Sequence, residues 1–151
     1  MTKRALAAFL VAATLAMADA AKPTYATGQG IAIDGYDAVA YLTDQKAVNG
    51  TAAHAFDWNG AKWLFATAAH RDAFAQDPAK YAPQYGGYCA YGISRGYKAV
   101  IDPRSFTVID GKLYLNYNAQ VQETWRKDTA GYIRKADTQW PKVKESTKVA
   151  R

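Results

Sequence analysis

The sequence predicts a small single α+β domain in which aromatic β-hairpins pack against short helices. Three observations carry this. Asn59-Gly60 joins two ring-rich segments, Asp110-Gly111 joins two more, and each pair is followed by a run with a capping residue and helical spacing of apolar positions. Four tryptophans and eleven tyrosines supply large rings for the core. The single cysteine, Cys89, cannot close an internal disulfide, so packing must stabilise the fold.

Residues 1–21 have the layout of a secretory signal peptide. Lys3 and Arg4 form a basic start, Ala5 to Met17 is an apolar run short for a bilayer span, and Ala18-Asp19-Ala20 is a small-x-small cleavage pattern. Cleavage is expected after Ala20 or Ala21. The start lacks an Arg-Arg pair, so the twin-arginine route has no support. The expected product is a periplasmic or secreted protein with no integral membrane span after cleavage. Losing Lys3, Arg4 and Asp19 lowers the formal charge from +6 to +5. The remaining basic residues are scattered rather than clustered, which argues against nucleic acid as a partner.

The expected domain spans 31–141. Lys22 to Gly30 reads as a flexible lead-in, Asp34-Gly35 as a turn, and Ala38 to Leu42 as a strand. Thr43 to Ala53 reads as a loop with a second turn at Asn49-Gly50. His54 to Trp58 and Lys62 to Ala66 form the first hairpin, with Phe56 and Trp58 on one face. Thr67 caps a helix over Ala68 to Gln76. Asp77 caps a second short helix that starts at Pro78. Tyr85-Gly86-Gly87 bends the chain, and Cys89 falls at the start of a short helix ending before Gly96.

Phe106 to Ile109 and Lys112 to Tyr117 form the second hairpin. Asn118 caps a helix ending near Lys127, and a further helix runs from Thr129 to Trp140, closed by Pro141. Residues 142–151 are lysine-rich, poor in apolar residues, and expected to be a flexible tail.

Asp34-Gly35-Tyr36-Asp37, the run from Trp58 to Phe74, Asp77-Pro78-x-x-Tyr81 and the segment Gly86 to Gly92 together resemble the exported bacterial branch of YHS domain-containing proteins. The resemblance covers nearly the whole mature chain, with the domain proper at about 34–91. The related short metal-binding versions, similar to TRASH domains, carry a Cys after a strand-ending aromatic, a second Cys four residues later on the helix, and a third upstream. Those positions fall here at Ala66, at His70 and near Asp37, so the resemblance implies the scaffold without its thiolates.

A structural zinc site takes four ligands, usually Cys or His. The cysteine-rich form of the site is therefore excluded. A rearranged site built from Cys89, His54, His70 and Asp37 stays open and would suit copper or zinc. Both methionines, Met1 and Met17, leave with the signal, which counts against a methionine-type copper carrier. Tyr36, Tyr85, Tyr88 and Tyr91 are the candidates for a ligand pocket.

Each candidate also has a structural role open to it. His70 could be a solvated or capping residue, His54 a hydrogen-bonded one, and Cys89 a small buried hydrophobe. The tyrosines could be packing rings with their hydroxyls on loop backbone. The expected function is a non-enzymatic periplasmic YHS-like domain that binds a metal ion or small molecule near Cys89. The alternatives are a thiol-dependent redox enzyme using Cys89 and a structural module with an envelope protein partner.

Overall fold

Asp37 decides the first helix. The computed structural model describes residues 23–151, so the expected signal peptide lies outside the described residues. Ala38 to Leu42, expected as a strand, is helical: α1 spans Ala38–Thr43. The carboxylate of Asp37 accepts hydrogen bonds from the backbone N–H of Val39 and Ala40, which satisfies donors that a helix start leaves open. A short apolar run has no period strong enough to resist such a cap.

The first hairpin forms as its turn dictates. Strands β1 (Thr51–Trp58) and β2 (Ala61–Phe65) pair antiparallel, with Phe56 opposite Trp63. Asn59 and Gly60 both take positive φ, the conformation that the two-residue turn needs. β1 starts earlier than the sequence suggests and carries a bulge between Thr51 and Ala55, beside His54. Thr67 caps α2 (Ala68–Gln76) through its hydroxyl.

Phe74 of α2 is the hub of this half. Its ring lies 4.9 Å from Trp63, 5.0 Å from Phe65, 5.7 Å from Trp58 and 6.2 Å from Phe56, all within range for ring pairing. Helix α3 (Pro78–Tyr81) starts on Pro78, but the Asp77 side chain makes no capping bond. A 3₁₀ turn over Gln84–Gly87 follows. There Gly86 has φ +65°, and a Cβ at this position would collide with the carbonyl of Pro23. Tyr25 N–H donates to the Gly86 carbonyl at 2.7 Å and Thr24 is buried, so the lead-in expected to be flexible is docked from residue 23 onward.

Helix α4 (Ala90–Ser94) begins after Cys89. Strand β3 (Lys98–Ala99) leads to the second hairpin, β4 (Asp102–Ile109) with β5 (Lys112–Asn116). Asn118 caps α5 (Ala119–Arg126), and Asp128 caps α6 (Thr129–Val143). Pro141 does not close α6, which continues past it to Val143. Proline costs a helix one hydrogen bond, and Lys144 N–H still reaches the Trp140 carbonyl at 2.9 Å to complete the last turn.

The tail expected to be flexible is also tied down. Strand β6 (Val149–Ala150) pairs parallel with β3, and Val100 N–H donates to the Ala150 carbonyl at 3.0 Å. The buried Lys98 donates its Nζ to the carbonyls of Lys144 at 2.6 Å and Ser146 at 2.8 Å. Its ammonium also lies 4.8 Å from the Tyr88 ring. A lysine inside the fold holds the tail by its carbonyls, and Val149 of the tail packs against the core beside it.

Buried tyrosines make the fold sensitive to alkali. Burial, helped by Asp34, pushes the Tyr25 hydroxyl from an ordinary 10.0 up to about 12. Burial likewise raises Tyr41, Tyr88 and Tyr114, and burial with the Asp137 hydrogen bond raises Tyr85. A group whose pKa is higher in the folded chain stabilises it fully below the unfolded value and loses that contribution as pH rises toward the folded one. Urea midpoints are therefore expected to hold up to about pH 9 and fall steeply from about pH 10 to 12. A flat profile across that window would mean the hydroxyls are solvated.

Candidate functional site

Two places in the fold gather the predicted site residues, and they are separate in chemistry. The first centres on Asp37, which is fully buried. Besides its two cap bonds, its carboxylate accepts from Ala66 N–H at 2.9 Å and lies 2.7 Å from Nδ1 of His70. An ionised carboxylate only accepts, so this contact places a proton on His70 Nδ1. Ala66 directly follows β2 and His70 lies in the first turn of α2, so Asp37 ties hairpin, α1 and α2 at one point.

The second place is the cleft over Cys89. The thiol is 1% exposed and precedes α4, with the side-chain Nδ2 of Asn116 at 4.0 Å from its Sγ. Tyr91, Tyr97, Ala99, Tyr117, Val121 and Ala150 complete the cleft, of about 180 Å³. Burial raises the Cys89 thiol above its ordinary value, and it prevails over the amides of Gly92, Tyr117 and Tyr91 and the Asn116 carboxamide, which favour the thiolate. A protonated, buried sulfur is a poor nucleophile.

Tyr97 and Tyr117, 43% and 39% exposed, are the large exposed hydrophobic residues among those described, and both stand on this cleft. The buried Asn116, whose Nδ2 approaches the sulfur, keeps its Oδ1 without a hydrogen-bond partner among the described residues. The cleft thus has ring walls and a thiol floor, and the thiol has the Asn116 carboxamide as a neighbour.

The remaining candidates are placed elsewhere. His54 lies at the β1 bulge with Nδ1 buried and unpartnered among the described residues. Tyr36 bridges to Asn49 and packs on the core. Tyr85 donates its hydroxyl to Asp137 at 2.8 Å, and Tyr88 stacks edge-on with Tyr25 at 5.9 Å. Of the four tyrosines expected at a pocket, Tyr91 alone lines the cleft over Cys89.

Tyr97, Ala99, Asn116, Tyr117, Val121 and Ala150 had no sequence signal as site residues, and Tyr117, expected inside the second hairpin, lies just after β5. The copper or zinc site expected from the sequence needs several converging donors. Among the described residues, no group of three or more His, Cys, Asp or Glu side chains is placed to hold a metal ion. Asp37 already accepts from three backbone amides and meets His70, while the lining of the Cys89 cleft contains no His, Asp or Glu. The donors present do not fit the metal.

Comparisons with protein-family models, curated proteins and solved structures found no match to this chain. No helix among the described residues is long and apolar enough to cross a membrane.

Proposed function

We propose that the chain is an exported, non-enzymatic YHS-like module that holds a small apolar ligand of about single-ring size in the cleft over Cys89. The observation that carries this is the placement of Tyr97 and Tyr117, whose solvent-facing rings both border one apolar cleft. Exposed rings around a concavity favour a ligand that removes them from water. An apolar cavity of about 150 Å³ accommodates benzene, so about 180 Å³ suits a monocyclic guest.

Support for the family part of the reading lies at Asp37. By the resemblance, the three thiolate positions fall at Ala66, at His70 and near Asp37, and in this fold Ala66 N–H and His70 Nδ1 both meet the Asp37 carboxylate.

Titration with p-cresol, followed by amide resonances, tests the ligand. Saturable shifts are expected at Tyr91, Tyr97, Tyr117 and Val121. Val121→Trp fills the cleft and is expected to weaken binding at least about tenfold, at a stability cost of about 1–3 kcal/mol from overpacking. Shifts spread over the whole surface, or unchanged affinity in Val121→Trp, would overturn the proposal.

A further inference from the structure

We propose that the cleft between β4 and α5 is a second binding site, which takes a carboxylate carried on an apolar body. It does not depend on the Cys89 reading. Gln45, Arg104, Phe106, Thr107, Val108, Gln122 and Arg126 line a concavity of about 540 Å³, within the range of small-molecule pockets. Two of these residues are cations and none is an acid. The protein therefore presents positive charge here without an answering carboxylate in the wall.

The two arginines differ. Arg104 is matched by Asp102, with Nε at 3.1 Å from Oδ1 and Nη2 at 3.2 Å from Oδ2. Arg126 has no carboxylate partner among the described residues. Its Nε donates to the Thr107 hydroxyl and its Nη2 to the Phe106 carbonyl, both at 3.0 Å. The beside-lying Gln122 donates Nε2 to the same Phe106 carbonyl. Neutral acceptors therefore hold the guanidinium still without cancelling its charge.

That arrangement selects a ligand. A planar guanidinium held at Nε and Nη2, with Nη1 making no hydrogen bond to a described residue, suits a planar carboxylate, because part of the side-chain ordering that an ion pair normally requires is already in place. One uncompensated charge matches a monoanion better than a phosphate dianion. Phe106 and Val108 add a half-buried apolar strip to an otherwise polar wall, and that strip is expected to take the hydrocarbon part of the ligand.

The test compares 4-phenylbutyrate, its neutral analogue 4-phenylbutan-1-ol and inorganic phosphate, each titrated into the chain starting at residue 22. Amide resonances of Phe106 to Val108 and Gln122 to Arg126 are expected to shift saturably with 4-phenylbutyrate. The alcohol and phosphate are each expected to bind at least about tenfold more weakly, as loss of the charge-assisted hydrogen bonds requires. Arg126→Gln should lose about tenfold in affinity. Because Arg126 also clips α5 to β4, Gln45→Glu, at an exposed wall position outside both elements, serves as a second variant that leaves that clip in place and repels the anion. Equal binding of the alcohol, preference for phosphate, shifts confined to Tyr97 and Tyr117, or unaltered affinity in both variants would overturn the site.

Discussion

Asp37→Ala is expected to destabilise the protein by about 3–5 kcal/mol, the largest loss from any single polar truncation in the fold. The side chain is fully buried and accepts from Val39, Ala40 and Ala66 N–H while meeting His70 Nδ1. Alanine removes the α1 cap, worth about 1 kcal/mol, and leaves further buried donors unmet at about 1–3 kcal/mol each. These losses share one carboxylate and do not add fully. His70→Ala leaves the backbone donors matched, so about 1–2 kcal/mol is expected from it. Urea unfolding measures both. A loss below about 1 kcal/mol in Asp37→Ala would mean that α1 and α2 are held without this clamp.

The second large effect concerns the sulfur. Alkylation of Cys89 by iodoacetamide near neutral pH is expected to run at least about a hundredfold slower than that of glutathione, because the thiol is 1% exposed and held protonated. The tail contributes to this protection. Ala150 forms part of the cleft wall, and Lys98 anchors the segment that carries it through two carbonyls. Lys98→Met keeps the length of the side chain and removes those bonds, so the rate is expected to rise about tenfold or more as the tail detaches more often. Removal of residues 144–151 should raise it further. A wild-type rate close to that of glutathione would show the thiol accessible and ionisable, and would favour the redox alternative.

Local chemistry was legible in the sequence. Asn59-Gly60 and Asp110-Gly111 specify their turns by conformation alone, and Thr67 and Asn118 cap helices with atoms a few residues away. The readings that failed depend on distant partners. The strand expected at Ala38 to Leu42 is a helix because a buried aspartate caps it, and that aspartate is buried because β2 and α2 pack over it. The tail is ordered because Lys98, nearly fifty residues away, turns inward, against the usual tendency of lysine to stay in water.

The site divides the same way. Cys89 at the head of a short helix follows from Tyr85-Gly86-Gly87, but the rings over it come from Tyr97, after α4, and Tyr117, after β5. No spacing rule brings those together. His70 and Asp37 lie 33 residues apart, and only the family resemblance joined their positions before the fold did.

The most direct test of the central claim follows the Cβ carbon of Cys89 by ¹H–¹³C NMR while p-cresol, zinc or copper(I) is added to separate samples. The signal is expected to move saturably with p-cresol and to stay unchanged with either metal. A Cβ resonance that responds to stoichiometric metal and ignores p-cresol would contradict the account and restore a thiolate metal site.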